Sequence, residues 1–319
     1  MPVDSTQLCI WVRVSGGVIR SAHLIVRIIK LQIVIDSGVD IFPEQLAGVS
    51  APIHTVPLVV TLEGRSYREG VDIQPDEFYP LLAAVDDLPS TSQPSVGDFA
   101  AIYRRLAATD PDILSVHMSS GLSGTVNAAQ AGARLVPEAN VTVVDTKTLS
   151  AASGWQVEAA ARARQADWSM ERILALMERI GAATDSIYTL KELKYLIHGG
   201  RISHMKGLIA SMLNIKPLIG VEKEGGTYVQ HGQARTFKRS VKGLVDLIAK
   251  QHAPGSALRV QVLHSSNPEG AASLREQVDQ RFDCTWLTVS PMSLVLGAHT
   301  GPTMVGVAYA PLAVFADVP

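Results

Sequence analysis

Two short stretches rich in hydroxyl residues are the first candidates for chemistry in this sequence. One is SSGLSGTVNAA, residues 119–129, which follows an apolar run, and the other is PSTSQPS, residues 89–95. Hydroxyls and free helix N-terminal amides donate hydrogen bonds, so such a junction suits a phosphate, a nucleotide, a scissile acyl group or a carboxylate. Each stretch alone is also typical of turn and N-cap residues. Two of them in one domain favour a ligand site.

The absence of lysine from both stretches argues against a nucleoside triphosphate. The chain has no G-x-x-x-x-G-K-[ST] motif, and no G-x-G-x-x-G follows the first predicted strand. Neutral hydroxyls beside helix N-terminal amides suit one carboxylate or one neutral carbonyl better.

A serine hydrolase acting on a lipid-like ester is the alternative function. Ser123, Asp145 and His299 occur in the chain order of an α/β-hydrolase triad, and Ser123 follows a predicted strand. The nucleophile elbow G-x-S-x-G is incomplete, because Thr125 stands where its second glycine belongs. With nine histidines in the chain, a downstream histidine is expected by chance.

Two glycine-rich stretches add a cation and an imidazole to the candidates. HGGRIS, residues 198–203, predicts either a tight turn with Arg201 on the surface or a guanidinium beside an anionic group. GAHTGPT, residues 297–303, places His299 in a predicted loop between two apolar strands, where its role is structural or ligand-directed. No cluster of His, Asp and Cys has metal-ligand spacing, so we expect no metal.

The composition narrows the function classes. The chain has 28 Lys plus Arg, 30 Asp plus Glu and a net charge of −2, which gives no support to a nucleic-acid-binding surface. Hydrophobic residues make up 47% and aromatic residues only 5%, which indicates a large aliphatic core, with or without an apolar ligand cavity. Two distant cysteines, Cys9 and Cys284, fit a reducing cytosol. The longest uncharged stretch, 287–316, contains three prolines and predicts strands and turns, not a membrane span.

Strands that alternate with helices must position the candidate residues. Nearly continuous apolar runs at 30–38, 56–64, 112–119 and 141–147 predict strands of a parallel sheet covered on both faces. Helices with one apolar stripe lie between them, and the first begins at Ser95, an N-cap with Asp98 as its capping-box partner. This order predicts a doubly wound sheet whose carboxyl edge collects the polar loops.

The pattern changes near residue 185, where we place a domain boundary. Beyond it, Gly225–Gly226 separates two strand-like runs, which predicts a hairpin, and further helices and strands form a second α/β unit. We therefore predict an atypical N-terminal extension (1–29), an N-terminal α/β domain (30–185) and a C-terminal α/β domain (186–319). The extension lacks the apolar core and cleavage site of a secretory signal.

Taken together, these motifs resemble the DegV family of bacterial fatty-acid-binding proteins, which includes the binding subunit of the two-part fatty acid kinase. The resemblance covers roughly residues 31–310. It is carried, in order, by VIDSGVDI, VPLVVTLEGRSYREGVDI, TSQPS, SSGLSGTVNAA, VVDT, LKYLIHGGRIS, LNIKPLI, the ART segment and HTGP.

The resemblance implies a two-domain α/β protein with one long-chain fatty acid between the domains. The first domain would have a mostly parallel sheet with helices on both faces, and the second would have a mixed sheet. The fatty-acid carboxylate would be bound by Thr91 and Ser123, with Ser92, Ser119, Arg201 and His299 close to the same head group. Arg235 would lie on the surface that meets the kinase subunit.

The resemblance also implies that the protein is a carrier and not an enzyme. The kinase partner would supply ATP and metal, so this chain needs no cofactor of its own. We expect a cytoplasmic monomer that binds no nucleic acid and has no integral membrane span. Transient contact with a membrane surface is compatible with this expectation.

Three positions depart from the family pattern. Gly38 replaces the usual hydroxyl after Asp-Ser, Glu69 stands where Asp is common, and Thr303 replaces a glycine after HTGP. None of these removes a proposed ligand, although Gly38 weakens the case for a head-group role of the first loop. Residues 1–29 have no counterpart in the family pattern.

Overall fold

The computed structural model describes residues 9–10, 22–23, 31–205 and 215–319 of the chain. Residues 1–30 and 31–319 are two compact units. In the first unit, two short strands pair antiparallel, with Cys9 opposite His23. The predicted extension, residues 1–29, otherwise lies outside the described residues.

The described strands are numbered through both units, and strands and helices alternate through most of the second unit. The strands are β1 (Cys9–Ile10), β2 (Ala22–His23), β3 (Gln32–Asp36), β4 (Ile53–Val56), β5 (Val59–Leu62), β6 (Arg65–Arg68), β7 (Ser90–Ser92), β8 (Asp112–His117), β9 (Asn140–Asp145), β10 (Asp185–Thr189), β11 (Lys216–Val221), β12 (Tyr228–Ala234), β13 (Ala257–His264), β14 (Asp283–Trp286), β15 (Ser290–Pro291) and β16 (Val305–Pro311). The helices are α1 (Pro75–Ala84), α2 (Val96–Ala107), α3 (Thr125–Arg134), α4 (Ser150–Gln165), α5 (Met170–Ala183), α6 (Lys194–His198), α7 (Phe237–Gln251), α8 (Pro268–Asp279) and α9 (Leu294–Thr300).

The first sheet is parallel, as predicted, with strand order β4-β3-β8-β9. Its side chains alternate between two buried faces, which is the two-residue period of a strand. Val34 packs with Phe99 and Tyr103 of α2 on one face, and Ile35 packs in the cluster of Trp155 of α4 on the other. The predicted capping box at the start of α2 is confirmed, because Ser95 Oγ accepts from the Asp98 amide at 3.1 Å.

The prediction of a parallel strand over 56–64 was wrong. The parallel neighbour of β3 is β4, whereas β5 belongs to a separate antiparallel sheet with the order β6-β5-β7. Pro57, which lacks an amide hydrogen, separates β4 from β5, and Glu63 and Gly64 both have positive φ in the tight turn to β6. This small sheet carries Thr91, which lies on β7 opposite Val60 of β5.

The second sheet is mixed, as predicted. Its order is β12-β11-β10-β16-β13-β14, with β15 also paired to β13. Strand β13 runs parallel to β14 and β15, and the other pairs are antiparallel. Helices α7 and α8 cover one face. The predicted hairpin at Gly225–Gly226 is confirmed by the pairing of β11 with β12, whereas the division into domains 30–185 and 186–319 stays a prediction.

Helix α4 joins the two larger sheets. Its residues from Ser150 to Ala161 are all buried, and it lies in one core cluster with side chains of β3, β8 and β16. Because it is covered on nearly every side, it has no polar face and no apolar stripe of its own. The core of the molecule therefore runs through α4 from one sheet to the other.

Candidate functional site

Most of the predicted site residues line one cavity of about 280 Å³, which we call the central cavity. Its wall is built from β7, the loop after β8, the turn after α6, β12 and α9. The lining residues are Leu58, Thr91, Ser92, Gln93, Met118, Leu122, Ser123, Arg201, Tyr228, Val295, Leu296 and His299. The structure thus brings together Thr91, Ser92, Ser123, Arg201 and His299, which are far apart in sequence.

His299 was expected in a glycine-rich loop, and that prediction was wrong, because it lies near the end of α9. All seven residues of this helix are buried. Gly297 weakens the helical signal in the sequence, but a Cβ there would lie 2.3 Å from Tyr79 Oη, so glycine is required by packing. The helix ends at Gly301, which has a φ of 76°.

Thr91 and His299 form the polar centre of the cavity. Thr91 Oγ1 lies 2.8 Å from His299 Nε2. Burial, and secondarily the positive charge of Arg201 and His198, lowers the pKa of His299 to about 3. His299 is therefore a neutral imidazole at physiological pH. When its Nε2 carries the hydrogen, it donates to Thr91 Oγ1, and the Thr91 hydroxyl hydrogen is free for a ligand.

Ser123 lies half-buried in the loop that leads into α3. Its Oγ is 2.8 Å from Thr125 Oγ1 and accepts from the Thr125 amide at 3.3 Å. Gly124 allows this loop to meet the Thr91 segment, because a Cβ at Gly124 would lie 2.0 Å from Gln93 Oε1. The two hydroxyl stretches that the sequence singled out are therefore in direct contact.

Arg201 lines the cavity and is not a surface residue of an isolated turn. It begins a 3₁₀ turn directly after Gly200, whose φ is 74°. Its Nη1 donates to Gly199 O at 2.6 Å and its Nε donates to Leu122 O at 3.3 Å. The guanidinium is thus held against the loop that carries Ser123, and it brings a positive charge to the cavity wall.

Ser119 and Arg235 lie outside the lining of the central cavity. The fully buried Ser119 hydroxyl donates to Gly226 O at 2.8 Å and accepts from the Gly121 amide at 3.1 Å, so it ties the hydroxyl loop to the β11–β12 hairpin. Arg235 is exposed directly after β12. Ser92 is exposed at the cavity wall.

Sequence patterns missed Tyr228, which lies on two cavities. Besides the central cavity it lines a smaller one of about 20 Å³, together with Leu149, Ser150, Ser186, Ile187, Tyr188, Leu263, Met292, Thr300, Met304, Gly306 and Val307. The Tyr228 ring meets the Tyr188 ring edge to face, with 5.6 Å between the centroids. Nothing near Tyr228 in sequence signals this position, since its neighbours in the cavity come from distant elements.

The hydrolase alternative gains no support from the hydrogen bonds. Asp145 accepts from Ser120 Oγ at 2.5 Å and pairs with Lys147 at 3.0 Å, whereas His299 contacts Thr91. A carboxylate–imidazole–hydroxyl series does exist elsewhere, and its members are fully buried. There Asp36 Oδ2 lies 3.0 Å from His117 Nδ1, and His117 Nε2 lies 2.7 Å from Ser115 Oγ.

Two negative findings concern the part of the chain that the structure describes. No helix there has the length and apolarity needed to cross a membrane. Within the same residues, no group of three or more His, Cys, Asp or Glu side chains is placed to hold a metal ion.

Comparison with known proteins places these features in a family. The family model described as "Uncharacterised protein, DegV family" matches residues 30–312. A DegV domain-containing protein of Deinococcus radiodurans is 36% identical over 279 residues, which is 88% of this chain and 95% of that protein.

Solved structures show the same fold. One, described as fatty acid binding of a DegV family protein from Thermus thermophilus, has a TM-score of 0.78 and 30% identity, and covers 88% of this chain and 99% of its own. Another, described as DegV, a fatty acid binding protein from Bacillus subtilis, has a TM-score of 0.77 and 27% identity, and covers 88% and 98%. The family model, the relative and the shared fold together show that the chain belongs to the DegV family.

Proposed function

We propose that this protein binds one long-chain fatty acid and presents its carboxylate to a separate kinase subunit, which phosphorylates it to an acyl-phosphate. The observation that carries the proposal is the central cavity, which is lined by three Ser and Thr hydroxyls, a neutral imidazole and a guanidinium. The similar proteins from Thermus thermophilus and Bacillus subtilis are described as fatty-acid-binding, which supports the same ligand class.

The head group is held by Thr91 and Ser123. A buried carboxylate needs several donors, because an unpaired charge costs far more than one hydrogen bond returns. The hydroxyl of Thr91, oriented by His299 at 2.8 Å, donates one bond, and that of Ser123 donates a second. Arg201 adds a positive charge from the cavity wall, and Ser92 completes the polar rim.

The acyl chain passes Tyr228 and enters the smaller cavity. The wall of the smaller cavity includes Leu149, Ile187 and Leu263, and its volume of about 20 Å³ is far too small for an acyl chain unless side chains move. Met292 and Met304 line it, and unbranched methionine side chains adapt readily to a new neighbour. Transfer of about 14 methylenes from water contributes on the order of 11 kcal/mol, at about 0.8 kcal/mol for each. Such a gain outweighs the rearrangement of a few side chains.

The chemistry of phosphoryl transfer belongs to the partner. The described lining of the central cavity includes no lysine and no carboxylate that would hold a nucleotide and its metal. We further propose that the protein is a cytoplasmic, monomeric carrier that needs no cofactor of its own. Arg235, exposed after β12, lies on the surface that meets the kinase.

The first test is the identity and retention of the ligand. Protein purified from a bacterial host releases a long-chain fatty acid into organic solvent, identified by mass spectrometry. Thr91→Ala and Ser123→Ala each lose a hydrogen bond to the carboxylate and weaken binding by about 1–3 kcal/mol, measured by displacement of a fluorescent fatty acid. Ser273→Ala, an exposed hydroxyl on α8, serves as the control.

Two results would contradict the proposal. One is wild-type protein that neither carries nor takes up fatty acid, and the other is unchanged affinity in the Thr91→Ala, Ser123→Ala double variant. Stoichiometric labelling of Ser123 by a fluorophosphonate would instead favour the serine hydrolase.

The second test separates binding from phosphorylation. Arg235→Ala leaves the fatty-acid affinity unchanged, because Arg235 does not line the cavity, and slows acyl-phosphate formation at least tenfold in the presence of the kinase. Arg239→Ala, an exposed arginine four residues further on, is the matched control. Loss of fatty-acid binding in Arg235→Ala would show that the docking role is wrong.

A further inference from the structure

Two buried carboxyl groups meet the start of α9. Asp40, in the loop after β3, accepts the Ser293 amide at 2.9 Å and the Ser150 hydroxyl at 2.5 Å. Glu69, directly after β6, accepts the Leu294 amide and, at 2.7 Å, the Ser37 hydroxyl. Each residue is only 8% exposed. All four carboxyl oxygens therefore have a donor, and two of these donors are consecutive amides of one segment.

The segment they hold is the one that forms a wall of the central cavity. Helix α9 contributes Val295, Leu296 and His299 to the lining. A helix of seven residues does not keep its place by its own hydrogen bonds, since isolated helices of this length are unstable in water. Its position depends on what it contacts, and the first two amides of the segment contact Asp40 and Glu69.

We propose that Asp40 and Glu69 are positioning residues for the central cavity, which hold the Ser293 and Leu294 amides and thereby set the place of His299 against Thr91. The role in ligand binding rests on the proposed function. The role in placing His299 concerns the ligand-free protein and does not depend on the proposed function.

The charge state of the pair supports this role. Burial raises the pKa of Asp40 to about 7, against the effect of its hydrogen bonds, and nearby Asp36 raises it further. Burial likewise raises the pKa of Glu69 to about 8, and Asp40 adds to that shift. Tyr79 also faces this pair, while Arg201 and His198 face His299. Both carboxyl groups therefore change charge near pH 7–8, and the charged form is the stronger acceptor for an amide.

Paired substitutions separate the loss of the acceptor from the loss of charge. Asp40→Ala and Glu69→Ala remove the acceptor and lower the affinity for oleate about tenfold. Asp40→Asn and Glu69→Gln keep an oxygen acceptor, and each variant therefore retains most of the wild-type affinity for oleate. Asp72→Ala, three residues beyond Glu69 and exposed in an ion pair with Arg68, leaves the affinity unchanged.

A readout without ligand tests the positioning itself. In fatty-acid-free protein carrying His198→Gln, the nuclear magnetic resonance signal of the His299 ring moves between pH 6 and 9 as the two carboxyl groups ionise. It stays fixed over that range in the Asp40→Asn, Glu69→Gln variant. This comparison decides the matter even if the alanine variants do not fold.

Two outcomes overturn the proposal. One is a His299 signal with the same pH dependence in both proteins, and the other is unchanged oleate affinity in folded alanine variants. If wild-type protein bound no oleate while the His299 signal still followed the two carboxyl groups, the proposed function would fail and the positioning role would stand.

Discussion

At the scale of single residues, the contact between Gly199 and His299 links two motifs that the sequence left separate. A Cβ at position 199 would lie 2.0 Å from His299 Nδ1, so glycine is the residue that lets the turn after α6 cover the ring. The φ of Gly199 is −69°, which alanine adopts without strain. The requirement for glycine here is therefore one of space and not of backbone conformation.

A prediction follows for Gly199→Ala. The added methyl group pushes the imidazole away from Thr91, so we expect about tenfold weaker fatty-acid binding and a loss of about 1–3 kcal/mol in the free energy of unfolding. Displacement titration and urea unfolding measure the two effects. Gly97→Ala is the control, because an added Cβ at this position in α2 makes only ordinary contact at 3.5 Å. Equal affinity in both variants would show that the ring position does not matter.

Residue types predicted part of the site, and their spacing could not predict the rest. The stretches that contain Thr91 and Ser123 were singled out because hydroxyls beside strand ends and helix starts are themselves a signal, and both residues line the central cavity. Ser119 carries the same signal, yet its hydroxyl binds Gly226 O, a partner more than a hundred positions away. Tyr228 carries no local signal, since only the packing of distant elements brings it to the cavity.

At the scale of elements, helices were predicted where they have one buried side. Helix α2 buries Phe99, Tyr103 and Leu106 and exposes its other face, so its stripe is legible. Helix α4 is buried nearly all round and α9 is short and interrupted by Gly297, so neither shows a period. The run at 56–64 has strand composition, but residue type alone does not distinguish a parallel strand from an antiparallel one.

The two carboxyl groups beneath α9 give the folded protein a defined pH dependence. Their pKa values are raised from 3.8 and 4.5 to about 7 and about 8, so the folded state keeps protons that the unfolded chain releases. The resulting stability is fully present below about pH 4 and is lost as pH rises through about 7 and 8.

We therefore expect the wild-type free energy of unfolding to fall from pH 6 to pH 9 more steeply than that of the Asp40→Asn, Glu69→Gln variant. Over this range the wild-type protein should lose on the order of 4 kcal/mol more than the variant, because both groups release their protons between pH 6 and pH 9. Urea unfolding at unit pH intervals measures it. Parallel curves for the two proteins would mean that these groups do not retain protons in the folded state.

At the scale of the whole molecule, a buried ion pair joins α4 to the second sheet. Arg259 of β13 and Glu158 of α4 lie 2.5 Å apart and are both buried. The Arg259 guanidinium also lies over the rings of Trp155 and Phe315, at 4.9 and 4.5 Å from their centroids. Sequence patterns do not reveal this link, because charged residues in predicted helices and strands usually face solvent.

Breaking the pair should be costly. Glu158→Gln leaves the buried Arg259 charge without its partner, so we expect it to lower the free energy of unfolding by about 3–5 kcal/mol. Arg259→Met should cost less, because Glu158 keeps its ion pair with Arg162 at 3.3 Å and its hydrogen bond from Gln45. The double variant should lose less than the sum of the two, as measured by a urea double-mutant cycle. The exposed pair Arg179–Asp317 is the control, expected to contribute little because water screens both charges. Additive losses at Glu158 and Arg259 would show that the two charges do not interact.

The central cavity is assembled from segments that reach from Leu58 to His299. During synthesis, its last wall leaves the ribosome only when α9 has been translated, so no shorter nascent chain contains the complete site. We therefore expect lipid loading to follow completion of the fold and not to guide its early steps. Under the proposed function, a chain that carries fatty acid has therefore completed its fold, and copies that misfold remain without ligand.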